Sequence, residues 1–425
     1  MRIWLARIQP GLLTVVLMVL SSPQTLAEEV GVTNSTIKVG GVMDLEGESK
    51  GLGLGMKMGI DAALKGEKVQ GRVVEFVALN DSYIPADTVK FTSQLISRGV
   101  FLMLGNVGTP TTRAALPILV ENNVPAVGFF TGSDLLRPGV GDIVNFRASY
   151  TQEIVETIDA AFAAGVQPRE ICAYVQNDTY GMAGILGIKI SLAKQSGMTD
   201  IVQKLEQILA LQGEEPNRNG IGPVGVYTRN ANRVREGYLS LKQWEQATGT
   251  HCRLVVTTGT YAPVADFIDY SHYKGENWII SAVSFTGADN LAQALREKNI
   301  MDQVILTNVV PNLDSSLPIV EEARKALGSQ LGYVSLEGFI VGKMFLAIAR
   351  NIKGDITRQN FLKAVHGQTF DLGGLKLDFT NSNQGSNLVQ LAYLSNGEFK
   401  SITSQKLVNV FQKADSQIAT KKSAN

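Results

Sequence analysis

From residue 36 onward, short apolar runs alternate with amphipathic helical stretches, and this alternation constrains the fold more than any other feature. "TIKVGGVM", "RVVEFVALND" and "VFLMLGN" read as strands, separated by the helical "GLGMKMGIDAALKG" and "PADTVKFTSQLISRG". Strands that are apolar throughout are covered on both faces, and the intervening helices make the crossovers of a parallel sheet. The rhythm restarts near "DIVNFRASY", where "EICAYVQND", "GPVGVYT", "CRLVVTTG" and "WIISAVS" read as strands between further helices. Two α/β lobes with doubly wound parallel sheets are therefore predicted. The polar stretch "QGEEPNRNGIGP" reads as a loop.

A chain of 425 residues with 44% hydrophobic content is long enough for such lobes to bury their own cores. Lys plus Arg equals Asp plus Glu at 39 each, with no basic run, which disfavours nucleic acid as a partner. At the N-terminus, Arg2 and Arg7 precede the apolar "GLLTVVLMVL", and Thr25-Leu26-Ala27 follows a polar stretch. This reads as a signal peptide over residues 1–27 and an exported, periplasmic protein. The rival is an uncleaved anchor, but the apolar run is short of the roughly 20 residues needed to span a bilayer. Cys172 and Cys252 could pair after export or stand as two buried thiols.

In parallel α/β sheets, ligands bind at loops on the carboxyl ends of the strands. Those places hold "DLEGES", "NDSY", "NVGTPTT" and "FFTGSD" in the first half, and "QNDTYG", "TGTYAP" and "VSFTG" in the second. The corners at Gly108–Thr111 and Thr131–Ser133 are rich in hydroxyls and close in sequence, which suggests that both face one small ligand. Thr109 is expected as a helix N-cap and Pro110 as the first helical residue, beside backbone N–H groups suited to a carboxylate. Pro117 should kink the helix that follows. Tyr180 and Tyr261 each follow a strand of the second lobe and could offer a ligand a flat face and a hydroxyl.

Other motifs point elsewhere. Gly47-Glu48-Ser49-Lys50-Gly51 spells G-x-S-x-G between a strand and a helix, the setting of a serine-hydrolase elbow, but no histidine falls in a loop on the same edge. Gly51, Gly53, Gly55 and Gly59 lack dinucleotide spacing and suit close helix packing, with Gly51 as a permissive loop residue. His251, Cys252 and His272 lack metal-ligand spacing. No cofactor, metal or catalytic residue is therefore expected.

The ordered blocks "IKVGGVMDLEGESKGLGLGMKMGIDAAL", "LGNVGTPTTRAALPILVENNVPAVGFFTG", "RASYTQEI", "YVQNDTYGMAG", "TTGTYAPVADFI" and "YVSLEGFIVGKMFLAI" resemble the type I periplasmic solute-binding proteins of ABC importers, branched-chain amino-acid-binding group. The resemblance spans nearly the whole mature chain. It implies lobe one at 36–148 plus 306–387, lobe two at 149–305 plus 388–413, three hinge crossovers and a polar tail at 414–425. It implies that Thr109, Pro110 and the Phe130, Thr131, Gly132 and Ser133 turn hold a ligand carboxylate, that Tyr180 and Tyr261 close from the other lobe, and that Glu48 and Ser49 border the ligand. Ser284 stands where leucine-binding relatives carry an acid for the α-ammonium, leaving Asp178, Asp81 or Glu48 as substitutes. The implied partners are an amino acid or related carboxylate and an inner-membrane ABC permease, or a sensor protein in a signalling system. The rival hydrolase reading predicts that Ser49→Ala abolishes ester turnover in a colorimetric assay. An intact protein without turnover removes it.

Overall fold

The computed structural model describes residues 29–137 and 142–423, so the signal peptide expected at 1–27 lies outside the described residues. Among these, no helix is long and apolar enough to cross a membrane. The first sheet holds β1 (Thr36–Met43), β2 (Lys68–Val69), β3 (Arg72–Asn80), β4 (Met103–Leu104), β5 (Ala126–Val127) and β6 (Ile143–Val144), in the order β2-β3-β1-β4-β5-β6. Only the β2 edge is antiparallel. The second sheet holds β7 (Ile171–Gln176), β8 (Val224–Tyr227), β9 (Leu254–Thr258), β10 (Ile279–Ala282) and β11 (Val304–Asn308). A hairpin of β12 (Thr369–Leu372) and β13 (Leu375–Asp378) precedes β14 (Gln390–Ser395) and β15 (Glu398–Ser401), which close one edge of the second sheet antiparallel. Its order is β15-β14-β11-β10-β9-β7-β8.

β7 to β11 are buried at every residue, as continuous apolar runs require in a sheet covered on both faces. The expected strand "VFLMLGN" contracts to β4, because Gly105 turns the chain at φ +69°. A helix at Thr199–Ala210, amphipathic and buried at Ile201, Leu205 and Ile208, precedes the expected loop. The helix Thr109–Glu121 runs through Pro117, which lies on its exposed face, where solvent can satisfy the carbonyl that proline leaves free.

The helix Lys50–Leu64 lies against the helix Tyr333–Asn351. A Cβ at Gly59 would come within 2.5 Å of the Phe339 amide nitrogen, and one at Gly55 within 2.8 Å of the Val334 side chain. These glycines serve close packing, but Gly51 lies inside the helix, not in a loop, and its Cα faces the Asn290 side chain of the second lobe. Residues 414–423, expected as a polar tail, continue the helix Ser404–Ser423, and Asp415 pairs with Arg253 at 2.6 Å.

Cys172 on β7 and Cys252 before β9 form a disulfide across 80 residues, with Cα atoms 5.8 Å apart. On the chain-entropy account a loop of this length stabilises the fold by about 4 kcal/mol. The urea midpoint is therefore expected to fall clearly in dithiothreitol, and a Cys172→Ser, Cys252→Ser double variant should unfold at the same lowered midpoint with or without reductant.

Candidate functional site

The first lobe contributes the two hydroxyl corners. Gly108 takes φ +105° and is the residue preceding the helix Thr109–Glu121, so Thr109 and Pro110 are the first two helical residues and Thr109 is not the cap. Its side chain, not needed for capping, meets the other corner: Thr109 Oγ1 and Thr131 Oγ1 lie 2.7 Å apart, both fully buried. Gly132 admits Tyr150 beside them, since a Cβ there would stand 2.6 Å from the Tyr150 ring, and the Tyr150 amide donates to Gly132 O at 2.7 Å. The two threonine hydroxyls are turned to each other, and Tyr150 Oη beside them is buried without a completed hydrogen bond. Burial pushes this phenol up, with Arg147 and the two threonines pulling against it. Ser133 differs: its Oγ caps its own short turn by accepting from the Leu135 amide at 3.3 Å.

The second lobe answers with aromatic rings. Phe285, in the turn after β10, is fully buried, with its ring centroid 5.1 Å from Phe130, 4.9 Å from Tyr180 and 6.4 Å from both Tyr150 and Tyr83. Phe130 and Tyr83 come from the first lobe, Tyr180 and Phe285 from the second, and Tyr150 follows the first crossover. The rings form one inter-lobe box. Tyr180 Oη donates to Gly259 O at 3.3 Å. Tyr261 sits at the rim and spans the lobes: its hydroxyl donates to Glu48 O at 3.0 Å and accepts from the Gly51 amide at 3.4 Å.

Beneath the box lies a buried charge cluster. Arg147, 1% exposed, stands 3.3 Å from Glu153 at the start of the next helix and 3.5 Å from Glu337 on the Tyr333–Asn351 helix. Its guanidinium also stacks over the rings of Phe130 at 4.9 Å and Tyr150 at 5.8 Å. Ser284 accepts a hydrogen bond from Arg147 and passes one on, its hydroxyl donating to Glu153 at 2.9 Å and its amide at 2.7 Å. Thr307 adds a further donor to Glu153 at 2.5 Å. Ser284, expected at the place where leucine-binding relatives carry an acid, is thus hydrogen-bonded within the cluster.

The proposed substitutes for the missing acid are also engaged. Asp178 accepts from the Tyr180 amide and Gln176, and Asp81 from the Tyr83 amide and Thr88. Glu48 is exposed and takes part through its backbone. Ser49 is buried and its Oγ has no hydrogen bond, so nothing activates it as a nucleophile; His251 instead contacts Glu245 and Asn277. Phe285, Arg147, Tyr150, Glu153 and Tyr83 were missed from sequence. A signal existed in "RASYTQEI", where Ser149 and Gln152 form a capping box that aims Tyr150 and Glu153 inward.

A family model described as a periplasmic binding protein matches residues 36–206. Among solved structures, one described as a possible leucine/isoleucine/valine-binding protein from Rhodopirellula baltica SH 1 is 31% identical with a TM-score of 0.78, the match covering 88% of this chain and 98% of that one. A branched-chain amino acid ABC transporter protein from Thermus thermophilus with bound valine is 16% identical, TM-score 0.69, covering 88% and 96%. A solute-binding protein from R. palustris in complex with 4-hydroxybenzoate is 17% identical, TM-score 0.67, covering 87% and 96%. These last two share the fold. No curated protein matches the chain.

Burial raises Glu337 from 4.5 to about 7, with Arg147 opposing the shift and Glu153 adding to it. The folded state therefore holds this proton where the unfolded chain has lost it, and stability falls as pH rises from about 4.5 to about 7. Asp81 and Asp178, both raised to about 6 by burial, slope the same way. Glu337→Gln, a neutral isostere, is expected to remove on the order of 3 kcal/mol of this loss, read as a shallower fall in urea-unfolding stability between about pH 5 and about pH 8.

Proposed function

The chain belongs to the type I periplasmic binding proteins of the leucine-binding protein-like group, and from that premise we propose that it is an exported solute-binding protein that captures a small carboxylate-bearing metabolite between its lobes for an ABC permease. The observation that carries this reading is the meeting of the two corners: Thr109 and Thr131, 22 residues apart in sequence, touch at 2.7 Å beneath Tyr150. Three buried hydroxyls converge there at a helix start, which suits an anionic oxygen. We take the lobes as 36–148 plus 306–387 and 149–305 plus 388–413. Valine and 4-hydroxybenzoate, bound by two proteins of the same fold, both carry a carboxylate, which supports the choice of group.

In this reading Thr109, Thr131, the Gly132–Ser133 backbone and Tyr150 hold the carboxylate, and Phe130, Tyr180 and Phe285 surround the body. Pro110 sets the helix start, and Tyr261 latches the rim onto Glu48 and Gly51 beside Ser49. A ligand favours the closed form only by the difference in its affinity for the closed and open states, and the permease reads that closure.

Thermal-shift screening of the mature protein against amino acids, amides and organic acids finds the ligand, since binding to the folded state alone stabilises it by RT ln(1 + [L]/Kd). The hit should bind about tenfold more weakly to Thr109→Val, which lacks the hydroxyl at equal size. Tyr261→Phe, which removes one bond between the lobes, should weaken it several-fold without touching the ligand. Unchanged affinity in both variants, measured by calorimetry, places the pocket elsewhere.

A further inference from the structure

Resting on the two-lobed trap described above, we propose that the cavity beside Glu337 is a proton site of the closed form: Glu337 takes up a proton as the lobes close and returns it to water as they part, so that closure is linked to pH.

The cavity lies in the seam between the lobes. Phe130 follows β5 of the first sheet, and Val334 and Glu337 stand on the helix Tyr333–Asn351, which packs on the Lys50–Leu64 helix of the first lobe. Ser284 and Asn308, at the ends of β10 and β11 of the second sheet, form the opposite wall. The space has room for about one water. Because its walls belong to different sheets, a hinge motion that separates the sheets admits bulk water to the Glu337 carboxylate.

In the closed form that carboxylate has little to replace water. Glu337 is 3% exposed, and among the described residues no donor completes a hydrogen bond to it. Arg147 comes to 3.5 Å, but its Nη1 completes no hydrogen bond, and Asn308 Nδ2 is likewise buried without one. Glu153 is better placed: it accepts from the Ser284 amide, the Ser284 hydroxyl and Thr307, and pairs with Arg147 at 3.3 Å. Two buried acids thus share one guanidinium, and keeping both ionised would bury an excess negative charge. A proton on Glu337 removes that excess.

The other charges around this helix are engaged elsewhere. Arg137, the next guanidinium, donates to Ser133 O, Arg147 O and Gln384. The helix Lys50–Leu64 buries only glycine and apolar residues. Asp289 accepts from the Tyr333 amide one turn away, and Lys343, farther along, pairs with Glu67 and Glu322. Burial pushes the Glu337 carboxyl up to about 7, with Arg147 opposing and Glu153 adding to the shift. A carboxyl open to water titrates near 4.5, so the closed form keeps the proton where the open form has lost it. Closure is therefore favoured at low pH and weakens as pH rises from about 4.5 to about 7.

Lobe separation tests this directly. Val120 and Tyr273, 71% and 80% exposed, lie at the ends of the helices Thr109–Glu121 and Tyr261–Tyr273 that point away from the site. Mature protein carrying Val120→Cys and Tyr273→Cys is spin-labelled at both, then unfolded in urea and refolded with its native disulfide intact to strip bound solute. Pulsed electron resonance then reads the distance between the labels. The expected result is a closed and an open population whose ratio falls at least about tenfold between about pH 5 and about pH 8. Glu337→Gln should flatten most of that fall. Glu337→Leu, which fills the place with an apolar group, takes over if the amide variant does not fold. A ratio that ignores pH or rises with it, or that falls as steeply without the acid, overturns the proton site and leaves the hinged trap intact. A single distance at every pH overturns the trap, and the inference with it.

Discussion

A guanidinium buried to 1% exposure governs the middle of this molecule. Arg147 Nε and Nη1 complete no hydrogen bond, and leaving the guanidinium without counter-charge at that depth would cost several kcal/mol, so its surroundings must supply opposite charge. They do so from both lobes: Glu153 and Ser284 belong to the elements around the second sheet, and Glu337 to a helix packed on the first. Arg147 itself lies on a segment that passes between the sheets. The same side chain supports the undersides of Phe130 and Tyr150, two walls of the aromatic box. The hinge, the relative placement of the lobes and the shape of the site thus share one buried charge.

Beside the Arg147 cluster and the packed rings, single hydrogen bonds also join the lobes. Tyr261 bridges to Glu48 and Gly51, Gln176 donates to Tyr83 Oη at 3.1 Å, and the Tyr333 amide donates to Asp289 at 2.6 Å. Each such hydrogen bond contributes roughly 1 kcal/mol net. Gly51 fits the same logic, because its missing side chain lets the helix Lys50–Leu64 approach Asn290.

The strand-end rule gave the proposed site its first residues. It pointed to Thr109, Thr131, Tyr180 and Tyr261 from their positions after apolar runs, while Ser284 came from the family resemblance; the structure places Thr109 against Thr131 and Tyr261 against Glu48. It failed where side-chain direction decides. Ser284 was read as facing a ligand, yet its hydroxyl turns to Glu153, 131 residues away in sequence. Phe285 sat unnoticed in the same loop, since an aromatic residue beside a buried strand reads equally as core. Nothing local in "RASYTQEI" says that Arg147 and Glu153 are both fully buried.

What the sequence determined by itself is the architecture: apolar runs too continuous for a one-faced sheet, spaced by amphipathic helices, leave two parallel-sheet lobes as the economical way to bury that surface. Local periodicity is sufficient for this, because each strand and helix carries its own record of which faces are covered. The tertiary structure alone decided that Cys172 and Cys252 pair, that the two hydroxyl corners touch, and that Arg147 stands between acids from different lobes. The disulfide spans 80 positions, Thr109 and Thr131 are 22 apart, and Arg147 reaches Glu337 across 190 although Glu153 is only six positions away. Their energies depend on burial and on distances of a few ångströms, which no local pattern encodes.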